Sequence, residues 1–141
     1  MKILSYFDKK KEIVSTSIPS KKEEQKIRVL VLDQNEDLLS ILKEGKYSKD
    51  LEMVFSTDET LVLRDMGRYY DAILADVDLK QNQLVDKKLR ELAADMPVYR
   101  MSEGRYTNNV NVVLQKPFTL DVFERKIKEI RGLALYLKKT A

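Results

Sequence analysis

Runs of apolar residues alternate with amphipathic stretches along most of this chain. Five runs have the length of a strand, IRVLVL, LEMVFS, YDAILAD, VYRM and NVVLQ, and the first and third are almost unbroken. Unbroken runs are typical of strands that are buried on both faces of a sheet. Strands that alternate with helices predict a parallel sheet, and right-handed crossovers place helices on both of its faces. The pattern therefore predicts a three-layer α/β/α fold with a five-stranded parallel sheet in the middle.

The stretches between the runs predict helices with apolar stripes. The first helix is capped by Asn35 and ends at Lys46. Further helices cover residues 57–66, residues 84–95 and the segment that begins at Thr119. Thr57 is the predicted cap of the second helix. The predicted packing stripes are Leu38, Leu39, Ile41 and Leu42 in the first helix, Leu84, Val85, Leu89 and Leu92 in the third, and Phe123, Ile127, Ile130, Ala134 and Leu137 in the last.

The connection between the fourth and fifth strands is short. Only the eight residues EGRYTNNV separate Ser102 from Asn111. A parallel crossover normally takes about a dozen residues or more and contains a helix. Eight extended residues reach only about 26 Å, which leaves no length for a full helix. We therefore expect the fourth helix of the fold to be shortened or absent.

Residues 1–26 form an appendage ahead of the first strand. MKILSYF and EIVSTSI favour β structure and flank the polar DKKK, so a hairpin is one interpretation and a poorly ordered tail is the other. The charged SKKEEQK that follows is typical of a linker. The sequence thus divides into an appendage over residues 1–26 and a domain over residues 27–141.

Four polar residues directly follow four of the apolar runs: Asp33, Asp76, Ser102 and Lys116. Residues just past the carboxyl ends of parallel strands converge on one crevice. Two carboxylates, a hydroxyl and an ammonium together suit a phosphoryl group and a divalent metal. Singly, each has an ordinary alternative: Asp76 could cap a loop, Ser102 could form a turn, and Lys116 could be a solvated loop lysine.

With these four residues in this order, the chain resembles the receiver domain of two-component response regulators over roughly residues 27–130. The resemblance implies the flavodoxin-like strand order 2-1-3-4-5. It also implies that Asp76 accepts a phosphoryl group and that Ser102 and Lys116 bind it. Receivers carry the same tripeptide as Lys116-Pro117-Phe118, often with a cis bond before the proline.

For magnesium, the resemblance implies ligands from Asp33, Gln34, Asp76 and the main-chain carbonyl of Asp78. Receivers normally have two acidic residues where this chain has Asp33 followed by Gln34. A unit charge pair about 4 Å apart is worth ~4 kcal/mol at an effective dielectric of ~20. Because one carboxylate is missing, we expect Mg²⁺ to bind weakly.

Two further positions depart from the receiver pattern. Lys80 replaces the proline that usually lies four residues after the phospho-acceptor, and Val113 replaces the aromatic residue that usually lies three before the lysine. A ring that turns inward on activation therefore cannot operate at Val113. These departures, together with Gln34 and the short connection, favour a divergent member of the family.

Composition excludes several classes of function. The 141 residues are 43% hydrophobic and 35% charged, with a net charge of +3, which is typical of a globular protein and too small to predict nucleic-acid binding. The chain has no cysteine and no histidine, so it cannot be the histidine-bearing donor of a phosphorelay. The basic residues of the last helix, Arg125, Lys126, Lys128 and Arg131, fit a solvated face. No signal peptide or membrane span is visible, and we expect a cytoplasmic location.

Three functions compete. The first is a receiver-like signalling domain whose Asp76 is phosphorylated by a histidine kinase or phosphotransfer protein and which signals through an effector protein. The second is a pseudo-receiver that binds partners without phosphorylation. The third, a phosphatase of the haloacid dehalogenase type that uses Asp76 and Asp78, lacks a downstream acidic pair for the metal. We favour the first and expect no enzyme activity beyond self-phosphorylation and self-dephosphorylation at Asp76.

The last helix predicts a contact surface. Its apolar stripe continues through Leu133, Ala134 and Leu137, further than the core of one domain requires. Two occupants remain open at this point: a second copy of the chain, which would form a homodimer, or the appendage, through Ile3, Leu4 and Phe7.

Overall fold

The elements of the fold follow the predicted alternation of strands and helices. The computed structural model describes residues 26–64, 69–76, 83–102 and 112–140. The strands are β1 (Ile27–Leu32), β2 (Leu51–Ser56), β3 (Ala72–Ala75), β4 (Val98–Ser102) and β5 (Val112–Gln115). The described helices are α1 (Glu36–Lys43), a 3-10 helix (Glu59–Leu63), α2 (Gln83–Leu92) and α3 (Leu120–Thr140).

The sheet confirms the predicted topology. Its five strands lie in the order β2-β1-β3-β4-β5 and every neighbouring pair is parallel. The register between β4 and β5 shifts between Arg100 and Met101: these two residues pair with Val112 and Leu114, so β5 has one extra residue and a bulge at this point. Because all strands run the same way, their carboxyl ends meet at one edge of the sheet.

Two core layers cover the sheet, one on each face. Successive side chains of β1 alternate between them: Val29 and Val31 pack toward α1 and α3, whereas Leu30 and Leu32 pack toward α2 and the 3-10 helix. All four are fully buried. This double burial is the physical reason for the unbroken apolar run in the sequence.

Helix α1 begins as predicted and ends three residues early. The Asn35 side chain accepts a hydrogen bond from the backbone N–H of Leu38 at 3.1 Å and so caps the helix. At the other end, the N–H of Glu44 bonds to the carbonyl of Ile41, which tightens the last turn. Leu39 and Leu42 are buried, but Ile41 is 54% exposed, so its place in the predicted stripe was wrong.

The helix predicted over residues 57–66 is replaced by the shorter 3-10 helix. Asp58, rather than Thr57, is its cap, because the Asp58 side chain accepts hydrogen bonds from both the backbone N–H and the hydroxyl of Thr60. The N–H of Leu61 bonds to the carbonyl of Asp58, three residues back. This local bonding favours the tighter turn over an α-helical start.

Helix α2 also ends three residues before its predicted end. The backbone continues as a turn in which the N–H of Asp95 bonds to the carbonyl of Leu92 at 3.0 Å. Val85, Leu89 and Leu92 are buried as predicted. Leu84 is 72% exposed and does not belong to the stripe, since it lies about 100° around the helix from Val85.

Helix α3 is the longest of the described elements. Thr119 precedes it and accepts the N–H of Val122 on its hydroxyl and the N–H of Phe123 on its carbonyl. Phe123, Ile127, Ile130 and Ala134 form the buried stripe, as predicted. Its last predicted member, Leu137, is only half-buried. No described helix, α3 included, is both long enough and apolar enough to cross a membrane.

Two predictions lie outside the described residues: the hairpin or tail in residues 1–25 and the reduced helix in residues 103–110.

Candidate functional site

The candidate site lies at the edge where the carboxyl ends of the strands meet. Asp33 follows β1, Asp76 follows β3 and Lys116 follows β5. The backbone extends the sheet past the last strand residues, because the N–H of Asp33 bonds to the carbonyl of Ser56 and the N–H of Asp76 bonds to the carbonyl of Leu32. The sheet therefore holds the backbone of both aspartates rigidly.

Lys116 joins the two carboxylates. Its Nζ lies 2.6 Å from Oδ2 of Asp33 and 2.6 Å from Oδ2 of Asp76. The predicted clustering of Asp33, Asp76 and Lys116 at one edge of the sheet is thus confirmed. The side chains of Asp33 and Lys116 are 3% and 15% exposed, whereas that of Asp76 is 35% exposed. Asp76 is therefore the member of the triad that a molecule from solution can reach most easily.

The electrostatics of the triad keep Lys116 charged. Burial lowers the pKa of its ammonium, but the hydrogen bonds and charges of Asp33 and Asp76 outweigh this effect and raise the pKa above its ordinary value. Two carboxylates and one ammonium carry one negative charge between them. The triad is thus a partly buried anionic site with a fixed cation, which suits a ligand that brings both a divalent metal and phosphoryl oxygens.

The second oxygen of Asp33 shapes the loop after β1. Asp33 Oδ1 accepts the backbone N–H of Asn35 at 2.8 Å, and Asn35 in turn caps α1. One carboxylate therefore links the Lys116 ammonium to the start of a helix. This double use explains why a charged side chain can remain buried at this position.

Gln34 has partners that the sequence did not indicate. Its amide nitrogen donates to the carbonyl of Thr57 at 2.8 Å and to Oε1 of Glu59 at 2.9 Å. Both hydrogen bonds of the amide nitrogen therefore go to the segment after β2. A carboxylate in its place would face two acceptors, so the residue that departs from the receiver pattern fits its surroundings as an amide. The sequence does not indicate a role for Glu59, because its contact with Gln34 depends on the 3-10 turn.

The remaining predicted site residues are only partly described. Ser102 is the last residue of β4 and is paired in register with Gln115, the residue before Lys116. The backbone of Ser102 therefore ends beside the triad, while its side chain and the whole of Asp78 lie outside the described part of the chain. The Lys116-Pro117 peptide bond is cis, as the resemblance implies.

The donors at this edge fit a magnesium ion held by few protein ligands. Magnesium prefers oxygen ligands and is often bound by one or two carboxylates, with water and phosphate oxygens completing the shell. Asp33 and Asp76 provide two such carboxylates. Among the described residues, no group of three or more acidic side chains could hold a metal ion. The donor set thus fits magnesium chemistry while offering fewer carboxylates than a dedicated metal site.

Comparison with known proteins supports the fold. No protein-family model matches the sequence, and no curated protein matches it. A response regulator from Thermotoga maritima superposes with a TM-score of 0.58 at 18% identity, covering 76% of this chain and 98% of its own. A response regulator receiver domain protein from Clostridium thermocellum gives a TM-score of 0.56 at 19% identity, covering 81% of this chain and 98% of its own.

These similarities span nearly the full length of both solved structures, and the strand order is the same as that implied by the sequence resemblance. The chain therefore has the fold of response regulator receiver domains.

Proposed function

We propose that this chain is a receiver-like signalling domain that accepts a phosphoryl group on Asp76 from a histidine kinase or phosphotransfer protein. The observation that carries the proposal is the triad, in which Lys116 Nζ lies 2.6 Å from both Asp33 and Asp76. The phosphorylated surface would signal to an effector protein, in the cytoplasm. The chemistry is confined to Asp76 and its neighbours, and no separate substrate is turned over.

The transfer requires an accessible nucleophile with a fixed backbone. Asp76 meets both conditions, since its N–H is bonded to Leu32 and its side chain is 35% exposed. One of its carboxylate oxygens forms a bond to phosphorus while the phosphorus–nitrogen bond of a donor phosphohistidine breaks. The departing imidazole keeps the bonding electron pair and takes up a proton from solvent. The product is an acyl phosphate on Asp76.

Lys116 and Asp33 prepare the site for the added charge. The Lys116 ammonium already contacts the Asp76 carboxylate, so it is in place to balance negative charge on the phosphoryl oxygens. Asp33 holds the other side of the same ammonium and limits its movement. Asp33 and Asp76 would hold a weakly bound magnesium ion, which supplies further neutralisation of the phosphoryl oxygens.

The test is direct phosphorylation. The full chain is incubated with magnesium and acetyl phosphate, and the product is analysed by intact-mass and peptide mass spectrometry. We expect one added phosphoryl group, mapped to Asp76 and absent in Asp76→Asn. Asp37→Asn, which removes an exposed carboxylate on α1, is the matched control and should be modified as the unaltered chain is. No modification of the unaltered chain, under conditions that modify an established receiver, contradicts the proposal.

The alternative is a pseudo-receiver that binds partners independently of phosphorylation. The observation that favours it is the Gln34 amide, which is bonded to Thr57 and Glu59 where receivers have a second acidic residue. In this alternative the Lys116 ammonium replaces the metal as the permanent cation of the site. Beryllofluoride separates the two functions. Shifts in the NMR signals of Asp33, Asp76 and Lys116 with magnesium and beryllofluoride support the receiver, and unchanged signals support the pseudo-receiver.

A further inference from the structure

A groove runs beside α3 on the part of the sheet occupied by β4. Two adjoining depressions of about 300 and 190 Å³ share Tyr99 and Leu133 in their linings. Met96, Pro97 and Leu137 line the larger one, and Ile130 lines the smaller. We call this the α3 groove. Leu133 is 38% exposed in it, so a large apolar side chain of the last helix is left in contact with water.

The chain enters the sheet close to one end of the α3 groove. The carbonyl of Lys26 accepts a hydrogen bond from Nζ of Lys138 at 3.4 Å, and Lys138 adjoins Leu137 on α3. The backbone before β1 therefore starts at the end of the groove that Leu137 lines. From this point 25 further residues precede Lys26 in the sequence, and they include the apolar ILSYF at residues 3–7.

The segment between Phe7 and Lys26 is long enough for ILSYF to reach the groove. The distance along α3 from Leu137 back to Ile130 is about 10 Å at ~1.5 Å per helical residue. Residues 8–25 separate Phe7 from Lys26, and a segment of this length spans at most about 60 Å when fully extended. The ILSYF segment can therefore reach the groove without the linker being stretched.

Charge at the end of the groove suits the residues that follow Phe7. A third depression of about 580 Å³ shares Met96, Pro97 and Leu137 with the groove and is lined by three carboxylates and two ammonium groups, Asp71, Glu91, Asp95, Lys88 and Lys138. Lys138 Nζ lies 3.5 Å from Asp71 and balances its charge. The remaining charged groups of the depression are the carboxylates of Glu91 and Asp95 and the ammonium of Lys88, with a net charge of one negative unit. The excess of negative charge is placed to attract Lys9, Lys10 and Lys11, which together outweigh the single acidic residue Asp8.

We propose that the ILSYF segment of the same chain docks in the α3 groove, with Ile3, Leu4 and Phe7 covering Tyr99 and Leu133. Tethering favours this occupant over a second copy, because a segment joined to the same chain is present at an effective concentration of the order of millimolar. A second copy would have to reach a comparable concentration in solution. The proposal does not depend on phosphorylation of Asp76.

Spin labelling tests the docking directly, since the chain contains no cysteine. A nitroxide is attached to Ser5→Cys in the full ¹⁵N-labelled chain, and paramagnetic broadening of amide signals is measured. We expect the signals of Tyr99, Leu133 and Leu137 to lose most of their intensity, to the same extent after dilution. A matched label at Leu63→Cys, an exposed position of the 3-10 helix on the opposite face of the sheet from α3, should leave those three signals much sharper.

A mixed sample and a mutant cycle distinguish the remaining outcomes. If spin-labelled ¹⁴N chain broadens the groove signals of unlabelled ¹⁵N chain, the occupant is a second copy and the proposal is overturned. It is equally overturned if the groove signals stay sharp in the singly labelled chain. In support of docking, Leu4→Asp and Leu133→Asp should each lower the melting temperature, and the double variant should lower it no further than the larger single effect.

Discussion

At the scale of single residues, Lys116 decides what the site can hold. Its ammonium is the counter-charge for Asp33, whose carboxylate is almost fully buried, and for the more accessible Asp76. Removing one partner from a buried ion pair leaves an uncompensated charge, and this usually costs far more than the pair contributes in net stability. The triad is therefore a candidate phosphoryl site, and the loss of its lysine would also destabilise the fold.

Lys116→Gln should lower the free energy of unfolding by about 3 kcal/mol, because Asp33 then stays buried beside Asp76 without a cation. Magnesium should restore part of the loss, so that the variant gains more stability from added magnesium than the unaltered chain does. Urea unfolding with and without magnesium measures both effects. Lys128→Gln, at an exposed position of α3, is the control and should change little. A variant as stable as the unaltered chain would contradict this view of the triad.

Gln34 is the second residue whose chemistry depends on its neighbours. Gln34→Glu places a carboxylate against Glu59 and the carbonyl of Thr57, and we expect a loss of about 1–2 kcal/mol in the free energy of unfolding. Exchanging the two residues, as Gln34→Glu with Glu59→Gln, restores a donor–acceptor pair and should recover much of the loss. The exchanged pair also puts a carboxylate next to Asp33, so magnesium should bind more tightly than to the unaltered chain.

The measurements are urea unfolding and calorimetric titration with magnesium, with Glu59→Gln alone as the control for its own cost. If Gln34→Glu is as stable as the unaltered chain, the amide is not needed at this position. If the exchanged pair binds magnesium no more tightly, the loss of the second carboxylate is not what weakens the site.

At the scale of elements, a buried ion pair joins α2 to the sheet. Arg100 of β4 is 8% exposed and donates to the Asp86 carboxylate of α2, which also pairs with Arg90 one turn later. Arg100 lies opposite the bulge of β5, two residues before Ser102. The pair therefore connects α2 to the strand that ends beside the site.

Arg100→Met should destabilise the chain by about 3 kcal/mol, because Asp86 loses its buried partner. Adding Asp86→Leu should recover most of this loss, since an apolar pair of similar volume is often as stable as a buried ion pair. Chemical unfolding of the unaltered chain, both single variants and the double variant gives the coupling energy. Additive effects of the two single changes would show that the pair is not an interacting unit.

At the scale of the whole molecule, two ionisable contacts to α3 set opposite ends of the pH range of stability. Hydrogen bonds from Arg131 and Ser48 lower the pKa of Asp50 from 3.8 to about 2, and Arg131 lies on α3. Burial, followed by the charge of Glu124, raises the pKa of Tyr47 from 10.0 to about 12. The Tyr47 ring packs against Phe55 of β2 and Phe123 of α3.

The folded chain holds the Asp50 proton less tightly than the unfolded chain, so the stabilisation is present above about pH 4 and is lost as the pH falls toward about 2. It amounts to about 1 kcal/mol, because Asp50 is one-third exposed and solvent screens the pair. Tyr47 has the opposite sign: its stabilisation is present below pH 10.0 and is lost as the pH rises toward about 12.

Unfolding free energies across the pH range, for the unaltered chain, Asp50→Asn and Tyr47→Phe, test both signs. Asp50→Asn should make the fall in stability at low pH less steep, and Tyr47→Phe should do the same at high pH. If the pH dependence of the unfolding free energy is unchanged in either variant, another group controls stability at that end of the pH range.

The strands, their parallel direction and the site triad could be predicted from the sequence alone. A strand buried on both faces is apolar at nearly every position, so IRVLVL, with Arg28 as its one polar residue, is visible without its neighbours. Once the strands are parallel, the residues after their ends must share one edge, which places Asp33, Asp76 and Lys116 together. The Asn35 cap and the start of the last helix at Thr119 were also visible, because the hydrogen bonds that begin a helix join residues three or four apart.

Only the tertiary structure decided the contacts between distant segments. Gln34 and Glu59 are 25 residues apart, and Arg100 and Asp86 are 14 apart, so no local pattern pairs them. The exposure of Ile41 and Leu84 likewise depends on where the sheet lies relative to each helix. Both residues adjoin a buried residue of the stripe, and the apolar periodicity alone does not show on which side of the stripe burial ends. Local periodicity predicts which residues are buried, whereas the packing of the whole chain determines which residues contact each other.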